Sequence, residues 1–446
     1  DPKIALFWSV KGAALAVQGK YNEAIKAYDE AIRLDPKIAL FWSVKGAALA
    51  VQGKYNEAIK AYDEAIRLDP KIALFWSVKG AALAVQAKYD EAIKAIDEAI
   101  RLDPNDAKAW RLKGIALEAL GKYDESVQAY DEAIRLDPKI ALFWRLKGDA
   151  LVKQAKYDEA IKAIDEAIRL DPNDAKAWRL KGIALEALGK YDESVQAYDE
   201  AIRLDPNYAT AWTNKGIALK AQGKYDESVQ AYDEAIRLDP NYATAWNNIG
   251  IALNAQGNYN ESIQAYDEAI RLDPNDAKAW NNKGLALRDL GRYNESLDAY
   301  EKALELDPNY VHAWNNKGLA LRDLGRYNES LDAYDEAIRL NPNYASAWNS
   351  CAWGLYLQSR YNESLEYVNR AIEINPDKWE YWDTKGVALA SLGRHKEALE
   401  SYDEALKLKK DEGVLWYNIG TSLGYLGRTT DAEASFAKAK EMGYAG

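Results

Sequence analysis

Residues able to carry acid–base, nucleophilic or metal chemistry are scarce in this chain. Two histidines, His312 and His395, and one cysteine, Cys351, are spread over 446 residues. A Cys–His pair, a Ser-His-Asp triad or a zinc cluster has almost no raw material here. Gly189-Lys190 and its copies hint at a phosphate loop. Tyrosine follows the lysine, however, and the preceding glycine is seven residues back, so both the spacing and the Ser or Thr are missing. Acidic pairs such as Asp199-Glu200 recur with a basic residue nearby and read as a solvated helix face rather than acid–base pairs or calcium ligands. The Asn-Glu-Ser triplets at Asn260, Asn294, Asn328 and Asn362 match the glycosylation pattern, yet they recur where a helix should begin and read as capping residues. What remains is the chemistry of recognition. Asn214, Asn248, Asn282 and Asn316 stand 34 residues apart, and Asn247, Asn281 and Asn315 precede the last three. An exposed amide inside a helix has no propensity advantage, but its paired donor and acceptor suit the recurring N–H and C=O groups of an extended peptide. The alternative is that these asparagines are copied residues tolerated on a solvated face.

The elements that must position such residues are legible in the stretch Asp171–Leu204. Variants of it recur every 34 residues, thirteen times, from Asp1 to Met442. Trp178, Gly182, Leu185 and Leu188 fall at helical spacing, and after Gly189 a second helical series runs Tyr191, Val195, Tyr198, Ile202. Each unit is therefore two amphipathic helices. Asp171 and Pro172 read as an N-cap and first helical position, Gly189 as the left-handed residue ending the first helix, and Pro206 as the stop for the second. Asp199 and Arg203, four apart, should pair on the outer face. Gly182 costs about 1 kcal/mol in a helix interior. That cost implies close approach by a bulky residue, with Trp178 and Tyr198 as candidates and small Ser194 and Ala201 letting the helices meet. A unit repeated without insertion is a stacking element, which points to one elongated array rather than to separate globular domains.

The spaced residues Trp178, Gly182, Leu185, Tyr191, Ser194, Tyr198, Ala201 and Pro206 carry a resemblance to the tetratricopeptide repeat, and it extends over essentially the whole chain. The resemblance implies an all-α solenoid, a right-handed superhelix of antiparallel helix pairs. The first helices would line a concave groove that binds peptides or other proteins, in places through asparagine ladders that clamp extended substrates. The residues themselves point to no enzymatic activity and to no cofactor or metal, although arrays of this family often accompany catalytic domains. Lys181 departs from the family, where leucine is usual; its stem can pack while the ammonium reaches outward.

Within one solenoid spanning 1–446, the variable positions mark four stretches. Residues 1–102 have an apolar groove face through Leu6, Val10, Ala13 and Val17, with Phe7 beside them. Residues 103–204 bring Lys108, Arg111, Lys176 and Arg179 to that face, a candidate attractant for acidic segments that Asp149 and Glu186 dilute. Arg145 lies between them. Residues 205–340 carry the asparagines, and Arg288-Asp289 and Arg322-Asp323 there look self-neutralising. Residues 341–446 diverge, as a capping end should, with Ala352 replacing the helix glycine. The opposite end lacks such a cap. Leu6, Phe7, Val10, Ala14 and Val17 are thus candidates for self-association and a homo-oligomer, the alternative being that they pack between units. The identity of whole units, such as those at Asp103 and Asp171, points to recent duplication or deliberate assembly of the gene.

Composition narrows the partner. A net charge of −12 argues against generic nucleic-acid binding, which needs a basic face. A single cysteine forms no intrachain disulfide and suits a cytoplasmic location, and no apolar run is long enough to span a bilayer. The first residue already lies inside a repeat, so a natural start, with any targeting segment, can lie upstream. The expectation is a protein or extended peptide as partner, bound by a scaffold, with a self-associating or engineered structural array as the alternative.

Overall fold

The computed structural model describes residues 2–444, and those residues contain helices and no strand. The chain divides into two compact units, residues 1–223 and 224–446. The first holds six helix hairpins, from Pro2–Val17 with Tyr21–Leu34 to Ala175–Ala187 with Tyr191–Leu204, followed by the helix Ala209–Ala221. The second begins with the helix Tyr225–Leu238. Six further hairpins follow it, ending with Gly413–Tyr425 and Thr429–Glu441. In each unit the two helices of a hairpin pack on one another, and the second also packs on the first helix of the next hairpin.

The hairpin 171–204 shows how the sequence builds this. Gly182 lies against the ring of Tyr198, so close that a Cβ would collide with the ring edge. Tyr198 and Ser194 are fully buried, and the Ser194 hydroxyl donates to the Gly182 carbonyl at 2.9 Å. Of the two expected aromatics only the tyrosine occupies the glycine's space. Trp178 is half-buried, and its indole N–H donates to the Pro172 carbonyl at 3.1 Å, tying the turn to the helix that follows. Where Ile96 and Ile164 replace the tyrosine, their Cγ1 atoms meet Gly80 and Gly148 in its place. In the second unit Ala352 replaces the glycine, and the residue that would strike its Cβ is the smaller, fully buried Val368. The two positions have changed together.

The ends of the helices correct three expectations. Asp171 is not the N-cap of the first helix. Its backbone N–H closes the preceding helix on the Ala167 carbonyl at 2.8 Å, and its carboxylate accepts the Asn173 N–H at 3.1 Å in an Asx turn. The cap is Asp174, which accepts from the Lys176 and Ala177 amides at 3.0 and 3.3 Å. Arg203 pairs with Glu200 at 2.8 Å instead of Asp199, whose carboxylate takes Lys215 of the helix Ala209–Ala221 at 2.7 Å. Lys181 makes the equivalent bond to Asp165 at 2.7 Å while lying 5.4 Å from the Trp178 ring centre, so its snorkelling spans a repeat junction. Asn260 lies inside the first turn of Tyr259–Leu272 and caps nothing, and Asn294, Asn328 and Asn362 hold the same place in their helices. The equivalent Asn22 accepts Gln52 of the next hairpin at 2.8 Å, which makes this another junction position. Gly189 has φ +73°, as a first-helix terminator should. Ala87, Ala155 and Ser359 hold that left-handed place without glycine's freedom.

Candidate functional site

The candidate site is the first-helix face that each unit leaves uncovered, and it differs from repeat to repeat. In the first unit, Leu40 and Leu74 stay more than half exposed, as do Val51 and Val85 at the far end of the same helices. Leu6 and Val17 belong to these rows. Phe7 and Ala14 belong elsewhere: Phe7 is 63% exposed, but its counterpart Phe41 is 1% exposed, packed with Ala5, Ala31 and Ile32 of the preceding hairpin. Ala14 is likewise exposed where Ala48 and Ala82 are buried, and Val10 is exposed where Val44 and Val78 are half-buried. The apolar candidates thus split into a groove row and a stacking face.

The basic residues do not form one anion site. Lys108 and Lys176 are exposed in the first turns of their helices. Arg111 is half-buried and has no ion-pair partner among the described residues. Arg145 is 2.8 Å from the carboxylate of Asp174. Arg179 donates to the Tyr208 hydroxyl at 2.7 Å and lies 5.6 Å from its ring centre. Glu186, expected only to dilute the positive field, accepts the Tyr198 hydroxyl at 2.9 Å, and burial pushes its carboxyl above the usual range. Burial also pushes the Lys220 ammonium down, with Glu186 acting against that shift. In the same unit Thr213 bonds the Ala209 carbonyl at 3.1 Å, leaving half-buried Asn214 as the amide of that helix.

In the second unit the asparagines are not simply exposed. Asn248, Asn281 and Asn315 are buried, while Asn247, Asn282 and Asn316 are half-buried. They bond to one another across repeat junctions. Asn282 Nδ2 donates to Asn247 Oδ1 at 3.1 Å, and Asn316 Nδ2 donates to Asn281 Oδ1 at 3.0 Å. Asn281 and Asn282 also touch side by side at 3.4 Å. The ladder expected from the sequence is therefore first a structural one, in which each junction uses one donor and one acceptor. It stops where Ser350 follows, and Asn315 Oδ1 is left buried and unpartnered. Arg322 bonds adjacent Asp323 at 2.8 Å as expected, but Arg288 reaches across the junction to the same Asp323 at 2.8 Å instead of pairing with Asp289, whose carboxylate takes Asn254 Nδ2 at 3.5 Å.

The structure adds a group that sequence reasoning passed over. Asn418 Nδ2 donates to Asp383 Oδ1 at 2.9 Å, repeating the junction bond with a carboxylate as acceptor. Burial pushes the Asp383 carboxyl up to about 6, the Asn418 bond opposes the shift, and nearby Glu412 adds to it. Its signal in the sequence was that no other repeat places a carboxylate at this register. His312 and His395 lie in separate hairpins, and Cys351 is buried with its thiol pushed up. No group of three or more His, Cys, Asp or Glu side chains among the described residues is placed to hold a metal ion. No helix of the described residues is long and apolar enough to cross a membrane.

Stacked antiparallel hairpins with constant packing residues and a variable first-helix face define a helical repeat scaffold. Family models described as tetratricopeptide repeat match residues 10–71, 78–139, 145–209 and 213–277, then 277–310, 311–344 and 379–412. The chain belongs to the tetratricopeptide repeat family, and as such is a protein-interaction scaffold. A model for anaphase-promoting complex subunit 5 also matches, over residues 184–240. No curated protein matches significantly. Among solved structures, the APC/C hetero-tetramer Cut9-Hcn1 is similar at 13% identity and a TM-score of 0.50, covering 94% of this chain and 96% of that one. Yeast Tom70 is similar at 15% identity and a TM-score of 0.48, covering 88% and 96%. MamA is 24% identical over 37% of this chain and 96% of its own, with a TM-score of 0.35. These likenesses concern the fold.

Proposed function

We propose that the first-helix face of the second unit binds an extended polypeptide segment and that the asparagine row hydrogen-bonds its backbone. One observation carries this reading. The junction bonds fix the orientation of each amide yet use only part of its capacity, since an asparagine offers two N–H donors and two acceptor lone pairs. Asn247, Asn282 and Asn316 are only half-buried, so their remaining groups are the accessible ones. A held amide loses little further entropy on binding, which favours affinity assembled from repeated weak contacts. The same face in the first unit supplies apolar rows at Leu40, Leu74, Val51 and Val85 and unpaired Arg111, surfaces that suit side chains of a partner. The activity is non-catalytic.

A degenerate library of extended peptides, panned on the full chain and on the Asn282→Ala/Asn316→Ala variant, tests this. Selection by the parent and its loss in the variant, with the melting transition largely kept, supports it. A lower melting transition with unchanged binding makes the row purely structural.

A second reading rests on the stacking face. Phe7 and Ala14 are exposed where every equivalent residue of the unit's apolar repeats is covered by a preceding hairpin, so a second copy, like an added hairpin, fits that surface. Light scattering across concentration tests it; a strictly monomeric profile rejects it.

A further inference from the structure

We propose that a cavity on the first-helix face of the last three hairpins binds an alkylammonium group, the side chain of a lysine presented by the partner. The cavity has a volume of about 490 Å³ and lies among the helices Ala345–Leu357, Trp379–Ser391, His395–Leu408 and Gly413–Tyr425. That size suits a long side chain.

Its walls are aromatic. Tyr356, Tyr417 and Tyr425 line it, and the His395 ring stacks on Tyr425 with centres 4.6 Å apart and planes 5° from parallel. Aromatic faces carry partial negative charge and attract cations. Its polar floor offers acceptors. Ser422 Oγ, beside the Tyr402 phenol, and His395 Nδ1, which has no hydrogen-bond partner, are buried atoms of lining residues with lone pairs to offer. Behind the floor stands a carboxylate: Asn418, which lines the cavity, is bonded to Asp383. Tyr402, another lining residue, has its phenol pushed up by burial and by the Asp383 charge. No lysine or arginine lines the space, and Lys385, on the same helix as Asp383, lies over the Trp382 ring.

These features select among ligands. Anions are disfavoured by the tyrosine faces and by Asp383. A neutral apolar group leaves His395 Nδ1 unpaired, and so does a quaternary ammonium, which has no N–H to give. A primary ammonium supplies three donors on a compact head and a methylene stem to lie along the rings. The residues that distinguish the cavity from the equivalent surface of other repeats are those that break the repeat pattern. Asp383 and Tyr417 replace asparagine, and His395 replaces the turn tyrosine. Divergence that looks like capping also assembles a pocket.

The proposal is independent of the asparagine row, and so is its test. A blocked Gly-Lys-Gly peptide spans only about 10 Å, too short to occupy several repeats. The full chain is titrated calorimetrically with this peptide and with its acetyl-lysine, trimethyl-lysine and glutamate counterparts. The lysine peptide is expected to saturate a single site, with the other three about tenfold weaker or worse. Asp383→Asn keeps the bond to Asn418 and removes the charge; Tyr425→Ala removes a ring that is 75% exposed and carries little of the fold. Each is expected to weaken the lysine peptide severalfold while circular dichroism stays that of the parent. Equal binding of lysine and acetyl-lysine peptides overturns the proposal. So does tighter binding of trimethyl-lysine, or unchanged affinity in a folded Tyr425→Ala chain.

Discussion

The packing of glycine against tyrosine makes a quantitative prediction at Gly284 and Tyr300. A Cβ on Gly284 would sit 2.6 Å from Tyr300 Cε1, about 1 Å inside an ordinary carbon–carbon contact. Tyr300 is fully buried and has no room to retreat. Gly284→Ala therefore gains about 1 kcal/mol of helix propensity. Overpacking offsets this at about 3 kcal/mol, for a net loss of about 2. Tyr300→Val alone removes most of a buried ring and costs about 3 kcal/mol or more. In the double variant the new methyl no longer collides and fills part of the space left by the ring, as at Ala352 and Val368. The two changes are thus expected to be less costly together than their sum by about 1–2 kcal/mol. A long repeat array does not unfold in two states, so the proper readout is local. Amide exchange in the helices Ala277–Asp289 and Tyr293–Leu306 gives the opening free energy of that hairpin for the parent, both single variants and the double variant. Additivity within about 0.5 kcal/mol would refute the reasoning that the glycine exists to admit the ring.

Three further outcomes follow from the same structure. Ala87→Gly and Ala155→Gly relieve residues held at φ 58° and 59°, and each should stabilise its hairpin by about 1 kcal/mol in the same exchange measurement. Burial holds the Asp383 carboxyl up at about 6 in the folded chain against 3.8 when free, so the folded state binds the extra proton; this group's contribution to stability is fully present below about pH 4 and is lost as pH rises through about 6. The full effect is about 3 kcal/mol, and urea unfolding of the C-terminal hairpins should lose this pH dependence in Asp383→Asn. Lys181→Ile, which copies Ile249 and Ile419 at the same register, should change stability by less than about 1 kcal/mol because Asp165 is half exposed.

Most of the fold was legible because the repeat displays its packing residues thirteen times. Gly182, Ser194, Tyr198 and Gly189 each have the role their spacing predicts. Boundaries were less legible. Asp171 carries a capping residue's chemistry, but Asp174 three residues later carries the same chemistry and sits where the helix begins. The partners of positions serving the junction between repeats were not legible because a single unit does not show them. Asp199, Asn22 and Lys181 each bond a neighbour about 16 or 30 residues away, distances that neither helix periodicity nor the capping rules describe. The asparagines show this most clearly. Their spacing placed them on one face, but only the structure shows that they bond each other before they can bond anything else. The C-terminal cavity was hidden for the opposite reason, since its distinctive residues, Tyr356, His395, Tyr417 and Tyr425, each occur once at their register.

Membership of the repeat family makes the chain an interaction scaffold; that its amide row grips a peptide backbone is the claim that most needs a direct measurement. The best peptide from the library selection, compared with versions N-methylated at alternate backbone positions, isolates backbone hydrogen bonding from side-chain recognition. Each methyl group that removes a bonded N–H is expected to weaken binding about tenfold, while side-chain truncations at the same residues have smaller effects. Undiminished affinity for the N-methylated peptides would contradict the account.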